Sequence, residues 1–556
     1  MVGAFTSRAV LARLAVPPAP EALALTVLLA GALVLRCWGI YAGLPGRGLL
    51  SPDEDTVVPK ALWMLDHGTA NPNWFLYPSL YLSVLAGALW LVGGFVGAPA
   101  GFAFSSPEAY IYDPSPYLLT GRLLSVAAGV GLVMATWALG RRAFGPAVGL
   151  IAAAAVAVSP MAVAYSHVAV TDMAMAAALT AGLWLLVGAV QERSRRRLLA
   201  AALVLGLATS LKYNAGFAVL PLAGSAVGLA REAGARWVSS ARAALAPVGA
   251  LLAGFLAGTP FAVLDPVTFA QDFWRQNRIV ADGWLGFERS GPGWLFNLRP
   301  VLWGAIGGAM VLLAVAGLAT AAVRRGRADL VLAPYALAYF VYVSSWGAHF
   351  DRYLLPIVPV VLVLGARAGV EAVGALRRRS RPALAAVLAL GLAAALVEPA
   401  AESAALVRGY AQHDLRLDAV RIIAKHVPLG AAIAVDPLGP PLIDQEQGVR
   451  LVDAGHPVAY YALLRLQTPE PGVRADPNRN VAVLRRAGIR WVVTSNNIRA
   501  RVMQASARYP REARFYRQLA RHARLTARIP ASLGPGVALW RLGPRLEAPQ
   551  PGAGWT

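Results

Sequence analysis

The sequence predicts a polytopic α-helical membrane protein with a soluble α/β domain at its C-terminal end, and three observations carry that prediction. Hydrophobic residues fill 57% of the 556 positions and charged residues only 14%, a balance outside the range of soluble domains. Apolar runs long enough to enter a bilayer recur through the first 400 residues. Beyond Pro399 the pattern changes to short apolar runs alternating with amphipathic stretches, the signature of a small βα-type sheet.

Charge narrows the class further. The formal net charge is +22, and lysine occurs only at 60, 212 and 425, so nearly all of the excess is arginine. With abundant alanine, glycine and proline, this composition fits a GC-rich bacterial genome. The arginines gather in short loops between apolar runs, which assigns them to membrane topology and anionic headgroups and gives no reason to expect a nucleic-acid partner. Cys37 is the only cysteine, which excludes an intrachain disulfide and a thiolate metal site.

Taken in order, the apolar runs fall near 21–40, 78–98, 118–140, 146–162, 173–190, 197–211, 214–230, 244–258, 300–322, 329–346, 354–372 and 383–399. The first follows Arg8 and Arg13 and is too long for a cleaved signal peptide, so it reads as a signal anchor. Twelve crossings would put Arg141-Arg142 and 193–197 outside, against the rule that arginine-rich loops stay in the cytoplasm. If 78–98 lies in the interface, eleven crossings bring every arginine-rich loop inside. The first external loop, 41–117, then faces outward, as do the segments around 167–172, Lys212, 259–299 and 349–352, and the C-terminal domain at 400–556. Within that domain a helix is expected at 417–427, strands at 431–435, 449–452, 489–494 and 537–542, and helices at 479–487 and 511–524.

The outward segments hold the residues able to do chemistry. Asp53 and Glu54 adjoin in Ser51-Pro52-Asp53-Glu54, where an acid could act as a general base at the mouth of the bundle. The same four residues also make a good helix start, with Ser51 as cap, Pro52 in the first position and Glu54 closing a capping box. Asp172, at the edge of an apolar span, is costly to ionise without water or a partner; it reads as an orienting acid or as a cap. Lys212 could neutralise a phosphate or snorkel to the interface. In His349-Phe350-Asp351-Arg352-Tyr353, Arg352 could grip a phosphate through its fork, with His349 and Tyr353 beside it, or pair with Asp351. Tyr77, at the end of an aromatic, proline-broken stretch beginning at Asn71, could stack on a sugar or sit in an interfacial belt; His167 and Tyr213 are further candidates to line a substrate. The lone histidines His67 and His167 form no zinc motif.

These pieces, in this order, resemble the GT-C superfamily of polyprenyl-phosphate-sugar-dependent glycosyltransferases, in its bacterial branch related to protein O-mannosyltransferases and the aminoarabinose transferase of lipid A. The resemblance rests on Pro52-Asp53-Glu54, Tyr77-Pro78-Ser79-Leu80, Arg122, the segment from Leu139 to Gly145, Ser159-Pro160 through Asp172, Lys212-Tyr213-Asn214 and Arg352-Tyr353-Leu354-Leu355-Pro356, covering about residues 20–375. It implies a GT-C-like catalytic domain over 1–399 in a bacterial plasma membrane, and an inverting transfer of a hexosyl or pentosyl unit from a polyprenyl-phosphate donor to a glycan, lipid or protein acceptor outside. Asp53 would be the base, Glu54 and Asp172 would orient it or the acceptor, and Lys212 and Arg352 would bind the departing phosphate. The resemblance leaves room for a divalent cation such as magnesium or manganese. Relatives often carry Lys-Pro-Pro where this chain has Tyr77-Pro78-Ser79. Two readings from other classes stay open: a secondary transporter, and a non-catalytic component of cell-envelope polysaccharide export. The absence of a visible internal repeat counts against the first.

Overall fold

The computed structural model describes residues 18–46, 50–97, 101–412, 415–530 and 536–543; Arg8 and Arg13 lie outside the described residues. All eleven runs expected to cross are helical. Among the described residues, seven helices are long and apolar enough to cross a membrane, and nine if each of two bent pairs counts as one span. The remaining two runs form Arg195–Leu211 and Asp329–Ser344, of 17 and 16 residues. The segment expected in the interface contains a further short apolar helix, Leu80–Val96. It presents Trp90, Leu91, Phe95 and Val96 outward and packs Leu82, Leu85 and Leu89 inward, as a helix does when lipid replaces water on its outer face.

Close helix contacts depend on small residues. Helix Arg195–Leu211 crosses Leu245–Gly258 where Gly206 and Gly254 meet; a Cβ on Gly206 would lie 2.0 Å from the Leu251 carbonyl oxygen, and one on Gly254 2.3 Å from that of Leu203. In lipid, where apolar burial gives helices little reason to associate, such backbone approach supplies the packing. Polar groups inside the bundle are satisfied locally. Helices Pro146–Ala157 and Pro160–Ser166 meet at a 59° bend, which frees carbonyls that the ladder would otherwise hold. The fully buried Arg36 guanidinium donates to the oxygens of Val156 and Ala157 at 3.2 and 3.0 Å, and Ser403 donates to Val158 at 2.8 Å.

The two ends of the bundle differ. At one end Arg142 and Arg197 both pair with Glu192, Arg193 and Arg327 both pair with Glu232, and Arg324 lies 3.6 Å from Glu371. The arginine-rich loops therefore share one face. The 30-residue helix Ser115–Phe144 carries Arg141 and Arg142 in its last turn at that face, about 45 Å from its start by helical rise. The opposite end gathers Asp53, Asp172, Lys212 and Arg352.

The last helical span runs on to Tyr410, beyond the composition boundary at 399, because 400–407 keeps a helix-forming alanine-rich pattern. Past it lies a six-stranded sheet: β1 (Ala432–Val435), β2 (Ile443–Asp444), β3 (Tyr460–Arg465), β4 (Trp491–Ser495), β5 (Ala523–Ile529) and β6 (Val537–Leu542), in spatial order β2-β3-β1-β4-β6-β5. The first four are mutually parallel, and β6 runs antiparallel to both of its neighbours, β4 and β5. One strand expectation is corrected: 449–452 lies in the helix Gln445–Asp453, which turns Gly448 and Leu451 inward, a spacing of three that a segment of four residues cannot reveal. This domain grips the bundle. Leu285, from the segment between helix Pro266–Asp282 and helix Gly293–Phe296, is fully buried in the C-terminal core; Tyr509 donates to Glu288 at 2.7 Å, and Arg450 pairs with Glu108 at 2.8 Å.

Candidate active site

The site is assembled around the start of helix Glu54–Asp66. The capping box is not formed as expected: the helix begins at Glu54, Asp53 is its cap residue without a side-chain capping bond, and Ser51 Oγ accepts from Asp53 N at 3.3 Å. Glu54 does other work. Its fully buried carboxylate receives the Arg122 fork at 2.9 and 3.1 Å, the Ala169 amide at 3.0 Å and the Leu50 amide at 2.9 Å. Arg122 also donates to the carbonyls of Ile40 and Ala42. One ion pair thus joins four segments of chain, and every group in it has a partner, the condition under which a buried charge pair is tolerated.

With Glu54 held this way, Asp53 projects into a second cluster. Its Oδ2 meets Arg352 Nη1 at 2.6 Å and accepts from the Tyr77 hydroxyl at 3.3 Å. Burial first, and the Asp53 charge next, push the Tyr77 phenol well above its ordinary range, so Tyr77 keeps its proton and remains a donor. Arg352 is placed by a short helical turn, Asp351–Leu354; Asp351 accepts from the Arg352 amide at 2.8 Å and from the Tyr165 hydroxyl at 2.5 Å, and Phe350 lies under the guanidinium at 4.9 Å. Arg352 Nε is buried and makes no hydrogen bond, an unsatisfied donor of the kind that functional sites retain.

A second pair adjoins the first. Asp172, the first residue of its helix, holds Lys212 Nζ at 2.5 Å, and both are buried. Lys212 lies at the break between helix Arg195–Leu211 and the turn Tyr213–Ala218, with its ammonium 5.5 Å from the Tyr77 ring and 5.7 Å from the Tyr353 ring. Tyr77 therefore touches both ion pairs. A cavity of about 370 Å³ opens beside them, lined by Tyr77, Lys212, Tyr213 and Tyr353 and walled further by residues of helix Pro266–Asp282 and the 342–346 turn.

Of the sequence candidates, Tyr77, Lys212, Tyr213 and Tyr353 line the cavity, Asp172 pairs with Lys212, Asp53 and Arg352 pair with each other, Glu54 is held by Arg122, and the two histidines lie apart. His167 is buried, with Nδ1 2.8 Å from the Val163 carbonyl and Nε2 2.9 Å from that of Trp38. These two bonds tie it to the backbone of two helices, away from the lining of the cavity. His349 is packed between the rings of Phe287 and Phe296 with its Nδ1 unpartnered; burial depresses its basicity, which suits a neutral packing residue better than a phosphate ligand. Sequence reasoning missed Tyr165, Gln276 and Trp346, and named Asn214 only as part of the Lys212-Tyr213-Asn214 motif without giving it a role. Amides and aromatics carry no distinctive signal in an apolar chain, and only the fold brings these to the site.

Among the described residues no group of three or more histidine, cysteine or acidic side chains could hold a metal ion. Asp53 and Asp172 each face a cation belonging to the chain.

Residues 117–258 match the family model described as dolichyl-phosphate-mannose-protein mannosyltransferase. A search of curated proteins by sequence finds no match. Among solved structures, the chain is similar to ArnT from Cupriavidus metallidurans bound to undecaprenyl phosphate, with a TM-score of 0.52 and 16% identity over 93% of this chain and 97% of that one. It is also similar to the apo form of the Archaeoglobus fulgidus oligosaccharyltransferase, with a TM-score of 0.53 and 13% identity over 90% of this chain and 73% of that one. These likenesses give the fold, and the chain is a multi-pass membrane protein with the GT-C fold.

Proposed function

We propose that this protein transfers a monosaccharide from a polyprenyl-phosphate carrier to an acceptor hydroxyl on the extracytoplasmic side of a bacterial inner membrane, with inversion at the anomeric carbon. The observation that carries the reading is the 2.6 Å pair between Asp53 and Arg352 near the Lys212 cavity, a carboxylate and two cations at one end of the bundle. The family match over 117–258 and the undecaprenyl phosphate bound by the similar ArnT support a lipid-phosphate donor.

The chemistry follows from charge movement. As the acceptor oxygen bonds to the sugar C1, the bond from C1 to the phosphate oxygen breaks, its electron pair leaves with the prenyl phosphate, and the acceptor proton passes to Asp53. Both contacts of Asp53 fall on Oδ2, so Oδ1 is the oxygen a hydroxyl can approach. Protonation ends the attraction of Asp53 for Arg352 at the moment the phosphate gains charge. The guanidinium, with Nε still unsatisfied, then serves the phosphate, and Lys212 adds a second cation. Asp172 holds Lys212, and Glu54 holds the turn carrying Asp53; both are positioning residues. The acceptor is a glycan, lipid or protein hydroxyl.

The test is transfer or hydrolysis of labelled polyprenyl-phosphate sugars by the purified protein and its Asp53→Asn variant. The expected result is donor binding in both and turnover only in the first; equal turnover would remove Asp53 as the base.

A further inference from the structure

The cavity beside Lys212 has a composition that selects its occupant. Rings of Tyr213, Phe217, Phe273, Tyr342 and Trp346 line it, and Asn214, Gln276 and Asn277 add amide groups to the same lining. Flat apolar faces with a few amide groups match a sugar ring, whose C–H faces pack on aromatics while its hydroxyls take directed hydrogen bonds. At about 370 Å³ the space lies near the lower end of the range for ligand pockets, roughly 300–1,000 Å³. Asn214 shows that the polar capacity is unspent: its amide nitrogen donates to Tyr339 at 2.7 Å, while its Oδ1 is buried and accepts nothing. A buried acceptor left open is costly unless a ligand satisfies it.

Charge decides the class. Among the described lining residues there is no carboxylate, and the one cation, Lys212, is held at 2.5 Å by Asp172. An ammonium substituent on the sugar would enter the pocket without a carboxylate on its wall, and a carboxylate substituent would compete with Asp172 for the only cation. Either charge would be desolvated without a partner of its own. Hydroxyls meet amides and phenols that can both donate and accept.

We propose that this cavity is the sugar pocket and that it takes an uncharged aldose, with Asn214, Gln276 and Trp346 determining specificity. The inference rests on the donor reading above. The lipid tail is the competing occupant for such aromatic walls, and it would make the amides irrelevant.

The experiment compares three polyprenyl-phosphate donors, carrying a neutral hexose, a hexosamine with a free amine and a uronic acid, together with sugar-free polyprenyl phosphate in a binding assay. The wild-type protein, Gln276→Ala and Trp346→Leu are used, each checked for an unchanged melting temperature; Gln276 lies on a partly exposed helix face and keeps the proposal testable if Trp346→Leu does not fold. Expected are turnover of the neutral donor at least about a hundredfold above both charged donors, and a rise of about tenfold in its KM for Gln276→Ala with little change in kcat, while sugar-free polyprenyl phosphate binds as before. Equal use of charged and neutral donors would overturn the proposal and leave the transferase reading standing. So would a Gln276→Ala variant that weakens sugar-free polyprenyl phosphate as much as the neutral donor. Turnover of no donor by a protein that still folds would overturn both.

Discussion

Asp53 and Glu54 are neighbours in sequence and opposites in role. Glu54 is consumed by Arg122 and two backbone amides, whereas Asp53 is partly exposed and meets groups from distant segments. Removing one member of a buried pair leaves the other uncompensated, at a cost of about 3–5 kcal/mol. Arg122→Leu is therefore expected to lower the melting temperature of the detergent-solubilised protein sharply, with activity lost through unfolding. Arg352→Lys should behave differently. It keeps the charge and loses the fork, so transfer should fall about a hundredfold with the melting temperature little changed, as measured by steady-state kinetics beside a thermal scan. Asp53, Asp172, Lys212 and Arg352 were legible in the sequence because an ionisable group is conspicuous in a chain with so few. His167 and His349 were equally conspicuous, but whether a ring nitrogen is taken by a backbone carbonyl is decided by tertiary packing, which spacing does not encode.

Elements explain why those residues stay in place. The Gly206 and Gly254 crossing brings helix Arg195–Leu211, which ends at Lys212, against Leu245–Gly258. A side chain at either glycine would strike a backbone carbonyl, which cannot rotate aside. Gly254→Leu is expected to separate the two helices, lower thermal stability and reduce transfer together; normal stability and activity would show that the crossing does not position Lys212. The apolar runs announced their helices because a bilayer demands length and hydrophobicity. The short C-terminal runs did not, since four apolar residues suit a strand or one face of a helix equally. Thus 449–452 was misread, and β2 at Ile443–Asp444, β3 at Tyr460–Arg465 and β5 at Ala523–Ile529 passed unseen. The bend at 157–160 was likewise invisible, because the partner that satisfies its carbonyls, Arg36, lies in another helix.

At the scale of the whole molecule, two poles organise the protein: an arginine-rich end bound by Glu192 and Glu232, and an opposite end that holds the ion pairs of Asp53 and Asp172. In a Cys37→Ser background, a cysteine at Arg196 should react with a membrane-impermeant thiol reagent only after the membrane is opened, and one at Glu446 in intact cells. Reactivity of both from the same side would reject the proposed topology. The central claim concerns where the donor phosphate settles. The most direct measurement is an electron cryomicroscopy map of the protein with a non-hydrolysable polyprenyl-phosphonate sugar. The account predicts the phosphonate on Arg352 and Lys212, with the sugar C1 toward Asp53. Phosphonate density at the arginine-rich end, or outer-end density with Asp53 still closed on Arg352 and the phosphonate bound elsewhere, would contradict it.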